Sequence, residues 1–223
     1  MSTISKQTIN FLSDLDKNNN RDWFNERKST FTEHQGEVKN FFQSIEGELN
    51  KNDQIEGHKI FRIYRDVRFS KDKTPFKARF AGNFKRATSA LRGGYFLNIE
   101  PNNSIVGGGF YAPNTEDLKR IRQEFELDDE EIRKILGNPN FKNTFGQLEG
   151  AEVKSAPRGF DPEHKAIDLI KKKQFYVLKK FSNEEVCSPD FMNQVLETYT
   201  TLRPYFDYMS SVLTTDSNGE SIL

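Results

Sequence analysis

Across 223 residues, 33 Lys and Arg balance 33 Asp and Glu, and the mean hydropathy is −0.78. A neutral, polar chain lacks the domain-wide basic excess of a nucleic-acid binder, and no stretch approaches a membrane span. One cysteine, Cys187, excludes an internal disulfide framework and suits a reducing compartment, so the chain is expected to be cytoplasmic, with no membrane partner.

This length buries a substantial core without disulfides or metal, and 20 Phe against one Trp make that core aromatic. Residues 4–15 space Ile4, Thr8, Phe11, Leu12 and Leu15 for one helical face. The polar break at 16–20 ends in Asn20, which caps a predicted long helix carrying Trp23, Phe24, Phe31, Val38, Phe41, Phe42, Ile45 and Leu49. After a loop at 50–57, strands are predicted over 61–69, 77–84, 95–100 and 105–111. Residues 85–94 form an exposed connection and Pro101–Ser104 a tight turn. Consecutive strands with short connections imply an antiparallel meander.

The second half becomes helical. Asn114 starts a helix through Phe125, and Asp128, Asp129, Glu130 and Glu131 open another that ends at Gly137, as capping and dipole chemistry favour. A short helix and loop follow over 141–150. Asp161 and Pro162 are placed to begin a helix through Ile170, then comes a strand over 174–181. Ser188-Pro189 starts a last helix, which Pro204 should kink or break; Cys187 would lie near that helix start, where a thiol pKa can fall. The tail beyond Thr214 is expected to fray.

The densest chemistry lies at 61–79, FRIYRDVRFSKDKTPFKAR. From Lys59 to Arg79 eight cations face two anions, Asp66 and Asp72. A regular strand over 61–69 would put Phe61, Ile63, Arg65, Val67 and Phe69 on one face, and Arg62, Tyr64, Asp66 and Arg68 on the other. Arg65 would then need a partner from elsewhere and is assigned to structure. The polar face suits an anion: Arg62 and Arg68 clamp it, Asp66 and Tyr64 orient them, and Lys71, Lys73 and Lys77 attract it. Glu100 can pair with one arginine, and Arg158, before a glycine in a rigid loop, can add a third. An ion-pair network holding the sheet together would use the same residues.

Gly107-Gly108-Gly109 is neither a P-loop nor a dinucleotide fingerprint; it is either a cleft floor or a surface for close packing. His34, His58 and His164 form no zinc pattern, no G-x-S-x-G elbow occurs, and no cofactor is implied. Carboxylates beside arginines have depressed pKa values and make poor general acids, which leaves catalysis without an identified base.

FRIYRDVRFSKDKTPFK, with NNNRDWF upstream and PRGFD downstream, resembles the signature of domain-of-unknown-function family 2461, from about residue 9 to about residue 213. The resemblance implies an α+β domain and supplies no catalytic residues to carry over. The residues and the resemblance together predict one α+β domain over 1–214, with an antiparallel sheet of at least four strands flanked by helices. Its expected function is binding of a small phosphate- or carboxylate-bearing ligand. An enzyme acting on that ligand, a protein or nucleic-acid interaction module, and purely structural arginines are the alternatives; oligomeric state is left open.

Overall fold

Alternating apolar residues do form a meander. The computed structural model describes residues 2–216 and 218–223, and its strands make a five-stranded antiparallel sheet in sequential order. The strands are β1 (Ile55–Ile60), β2 (Phe80–Arg86), β3 (Gly94–Ile99), β4 (Ser104–Phe110) and β5 (Phe175–Phe181). Three helices precede the sheet: α1 (Lys6–Lys17), α2 (Arg21–Glu26) and α3 (Lys28–Leu49). Between β4 and β5 come α4 (Thr115–Leu127), α5 (Glu130–Gly137), α6 (Pro139–Phe145) and α7 (Ile167–Ile170). After β5 come α8 (Asn183–Val186) and α9 (Phe191–Thr214). This is the expected α+β class.

The chain packs as two compact units. The first holds residues up to Lys85, Phe96–Val106 and Lys180–Glu197; the second holds Arg86–Tyr95, Gly107–Lys179 and the chain from Thr198. Within the first, α3 packs on β1, and a run of rings fills the core: Phe42 stacks on Phe84 at 5.2 Å, Phe31 on Phe80 at 5.8 Å and Phe41 on Phe191 at 5.5 Å. Within the second, Tyr95 meets Tyr199 at 4.7 Å and Phe206 at 5.0 Å, and Phe125 meets Phe175 at 5.9 Å. Aromatic pairs at these separations add to the stabilisation from burial alone.

Several local expectations need correcting. Asn20 does cap a helix, accepting from the Trp23 amide, but the helix stops at Glu26. Arg27, at φ −111° and ψ 20°, separates it from α3. Asp161 caps only a turn, by accepting from the Glu163 amide, and α7 is a single turn starting at Ile167. Pro204 does not break α9, because buried Leu202, Tyr205, Phe206 and Met209 hold the helix on both sides of it. Cys187 ends α8 rather than starting a helix, and burial raises its pKa. After α9, Thr215 bridges Ser221, and the Arg120 guanidinium donates to the carbonyls of Thr215 and Asp216.

The glycine run is packed and is not an open floor. A Cβ at Gly107 would lie 2.0 Å from the Val177 carbonyl oxygen, and Gly108 faces Leu202 and Phe206 of α9. Arg86, expected in an exposed connection, is buried at the end of β2. It donates to the Arg92 carbonyl at 3.0 Å and to Asp207 at 3.3 Å, with its guanidinium over the Phe206 ring. Asp129, expected to cap α5, makes no capping bond. It is buried and paired with Arg133 and Lys165, while Asp128 accepts from the Glu130 amide.

Candidate anion-binding site

Residues 61–79 form an excursion between β1 and β2 and are not a regular strand. Its limbs pair only at the base. The Phe61 amide donates to the Ala81 carbonyl at 2.7 Å, Lys77 to Ile63 at 2.7 Å and Arg65 to Pro75 at 2.8 Å, around the antiparallel bridge between Tyr64 and Phe76. The ladder then stops. Pro75 has no N–H to give, and beyond Arg65 side chains take over the bonding. Asp66 accepts from the Arg68 amide, Nε and Nη2, the last at 2.7 Å. Asp72 accepts from the amide and hydroxyl of Thr74, and Lys73 Nζ donates to the Val67 carbonyl.

The base is fastened to the helices. Asn19, between α1 and α2, accepts from the Phe76 amide at 3.1 Å and donates to the Phe76 carbonyl at 3.0 Å. Phe24 stacks on Phe76 at 4.1 Å, both nearly fully buried, and half-exposed Tyr64 lies against both rings. Of the five residues expected on an apolar face, only Ile63 is buried; Phe69 at the tip is 95% exposed. Side-chain bonding at the tip thus replaces the period-two pattern.

This geometry divides the cations into two sets. At the tip, Arg68 is tied to Asp66 and exposed, Lys73 is tied to a carbonyl, and Lys71 is exposed. At the base, half-buried Lys77 holds its proton less tightly than an ordinary lysine, first because of burial and then because of the charges of Arg79, Arg62 and Arg65. Arg62, Arg65, Lys77 and Arg79 therefore form one cluster. Carboxylates reach it at two points: Arg65 pairs with Asp72 at 3.2 Å and Arg79 with Glu100 at 3.8 Å. Among the described residues neither Arg62 nor Lys77 has an ion-pair partner, and Arg65 Nε is buried with no hydrogen bond.

Arg68 stays at the tip, whereas the charge of Arg62 acts both on Lys77 at the base and on Asp66 at the tip. Glu100 pairs with Arg79 and also accepts from Asn98 and Asn103. Arg158 stands exposed in a turn of the second unit. Arg65 and Arg79, outside the expected ligand set, join Arg62 and Lys77 because 64 pairs with 76. That register places the start of one limb beside the end of the other, and a regular strand over 61–69 conceals it. The carboxylates are unsuited to general acid work: Arg68 bonds hold Asp66 below the usual carboxylate range, and Thr74 bonds do the same for Asp72.

The profile of a family described as conserved hypothetical protein (DUF2461) matches residues 7–208. No curated protein and no solved structure matches the chain. No helix among the described residues is long and apolar enough to cross a membrane.

Proposed function

The chain belongs to the DUF2461 family, and we propose that it binds a small anion, phosphate- or carboxylate-bearing, at the base of the 61–79 excursion. One observation carries this reading: Lys77 is half-buried beside Arg79, Arg62 and Arg65, and burial first, then their charges, lower its pKa. A network serving stability alone would set a carboxylate against each cation. Here the like charges repel, and a bound anion removes the repulsion while raising the Lys77 pKa. Arg62, Arg65 and Arg79 supply planar forks for two oxygens each, and Lys77 supplies a point charge between them. Arg68, Lys71 and Lys73 at the tip extend the positive field outward and attract the ligand. The single, partly buried Cys187 keeps a reducing, cytoplasmic setting as the preferred one.

Thermal denaturation against millimolar phosphates, sugar phosphates, nucleotides and dicarboxylates tests the proposal, with wild type beside Lys77→Met. A ligand at a hundred times its Kd stabilises wild type by about 2.7 kcal/mol. Lys77→Met is expected to lose that shift. Without ligand it should melt slightly higher, by about 0.5–1 kcal/mol of stability, because repulsion is gone. Lower stability in Lys77→Met with no anion effect on wild type would assign the cluster to structure. Binding of long oligonucleotides alone, with affinity falling steeply with log salt, would replace the small ligand by nucleic acid.

A further inference from the structure

The second unit contains a cleft of the opposite sign. It has a volume of about 1020 Å³, at the upper limit for small-molecule sites, and lies among α4, α5, α6 and α9. Five carboxylates line it: Glu124, Asp128, Glu130, Glu131 and Asp207, with Lys134 the one cation among the described lining residues. Glu124 is paired with Arg120, and Asp207 with Arg86 and Arg203. Glu130 and Glu131, both exposed, have no ion-pair partner among the described residues. Ile135, Phe141 and Val212 give the same cleft an apolar wall.

A row of acids alone is an ordinary solvated helix face. Tyr208 makes this one different. The residue is 8% exposed, it lines the cleft, and its hydroxyl is buried with no hydrogen-bond partner among the described residues. A buried, unpaired hydroxyl costs about 1–3 kcal/mol unless something bonds it. Tyr208 shares the cleft lining with Glu124, Asp128 and Glu131; burial first, then their charges, raise its pKa, so it stays a neutral phenol. A neutral phenol offers a lone pair to an ammonium N–H and a proton to a carboxylate.

We propose that this cleft binds a linear aliphatic polyamine, with one ammonium group bonded to the Tyr208 hydroxyl and Glu131 and its methylene chain along Ile135 and Phe141. A metal ion is the poorer occupant, because no three acidic, His or Cys side chains among the described residues converge on one point. Charges spread over a flexible chain meet carboxylates spread along a cleft, and a chain of methylenes uses the apolar wall that a hydrated ion leaves unused.

Calorimetric titration of the intact chain with spermidine tests this, using wild type, Tyr208→Phe and Glu131→Gln, each repeated with excess Mg²⁺. Each variant is expected to bind spermidine about tenfold more weakly, with Mg²⁺ displacing little of it. Unliganded Tyr208→Phe should melt no lower than wild type, since it removes an unbonded hydroxyl and little else. The proposal is overturned by no binding to wild type, by unchanged affinity in both variants, or by full displacement with Mg²⁺. Selective capture of lysine-rich peptides in place of spermidine would also overturn it, making the cleft a peptide site.

Discussion

Asp129 shows how a buried charge is retained. Burial opposes its ionisation, but hydrogen bonds from Lys165 and Arg133 outweigh that and hold its pKa below the ordinary carboxylate value. Arg133 bonds Asp168 at 2.7 Å as well, so one guanidinium ties α5 to α7. The folded pKa is the lower one. The stabilisation is therefore complete above the unfolded value of about 4 and fades as pH falls through the folded value. Asp129→Asn is expected to cost about 2 kcal/mol at neutral pH and to converge with wild type in strong acid. Urea denaturation across that range measures it, and a deficit constant with pH would assign the loss to packing.

Strands β4 and β5 meet where glycine side chains are missing. Gly107 lies against Val177 and Gly109, at φ +142°, against Phe175, a constant sum of residue numbers that fixes an antiparallel register. Gly107→Ala forces a methyl into a carbonyl and should cost about 3 kcal/mol or more, whereas Gly36→Ala, in open space on α3, should gain about 0.5–1 kcal/mol. Paired denaturant melts decide it; equal small effects would mean that β5 yields easily. Strands β3, β4 and β5 were legible because Tyr95, Leu97 and Ile99, or Phe175, Val177 and Phe181, mark a buried face. The first strand was misplaced by six residues, since IEGHKI carries a glycine and a histidine while FRIYRDVRF alternates without a gap. The alternation there is not used: Phe69 is exposed, and self-bonding by Asp66 and Asp72 shapes the tip. Arg86 was hidden for another reason. Its partner Asp207 is 121 residues away and no local pattern announces the pair. The base cluster was half legible, with Arg62 and Lys77 recognised and Arg65 and Arg79 concealed by the register.

The whole chain is neutral, yet residues 1–111 carry 18 cations against 13 anions and residues 112–223 carry 15 against 20. The asymmetry has local content, a repelling basic cluster in the first unit and an acidic cleft in the second. Raising sodium chloride from about 50 to about 500 mM screens such repulsion. Wild type should gain more melting temperature from it than Lys77→Met does, and equal gains would deny the cluster any self-repulsion. Asn19 adds something to this picture. Both of its bonds go to the main chain of Phe76, and Phe24 meets the Phe76 and Tyr64 rings, so the first unit's helices hold the excursion at its base. The tip residues bond one another and need nothing beyond the base. Descendants of this sequence can therefore rewrite the tip, bonded partners together, while the scaffold stays as it is.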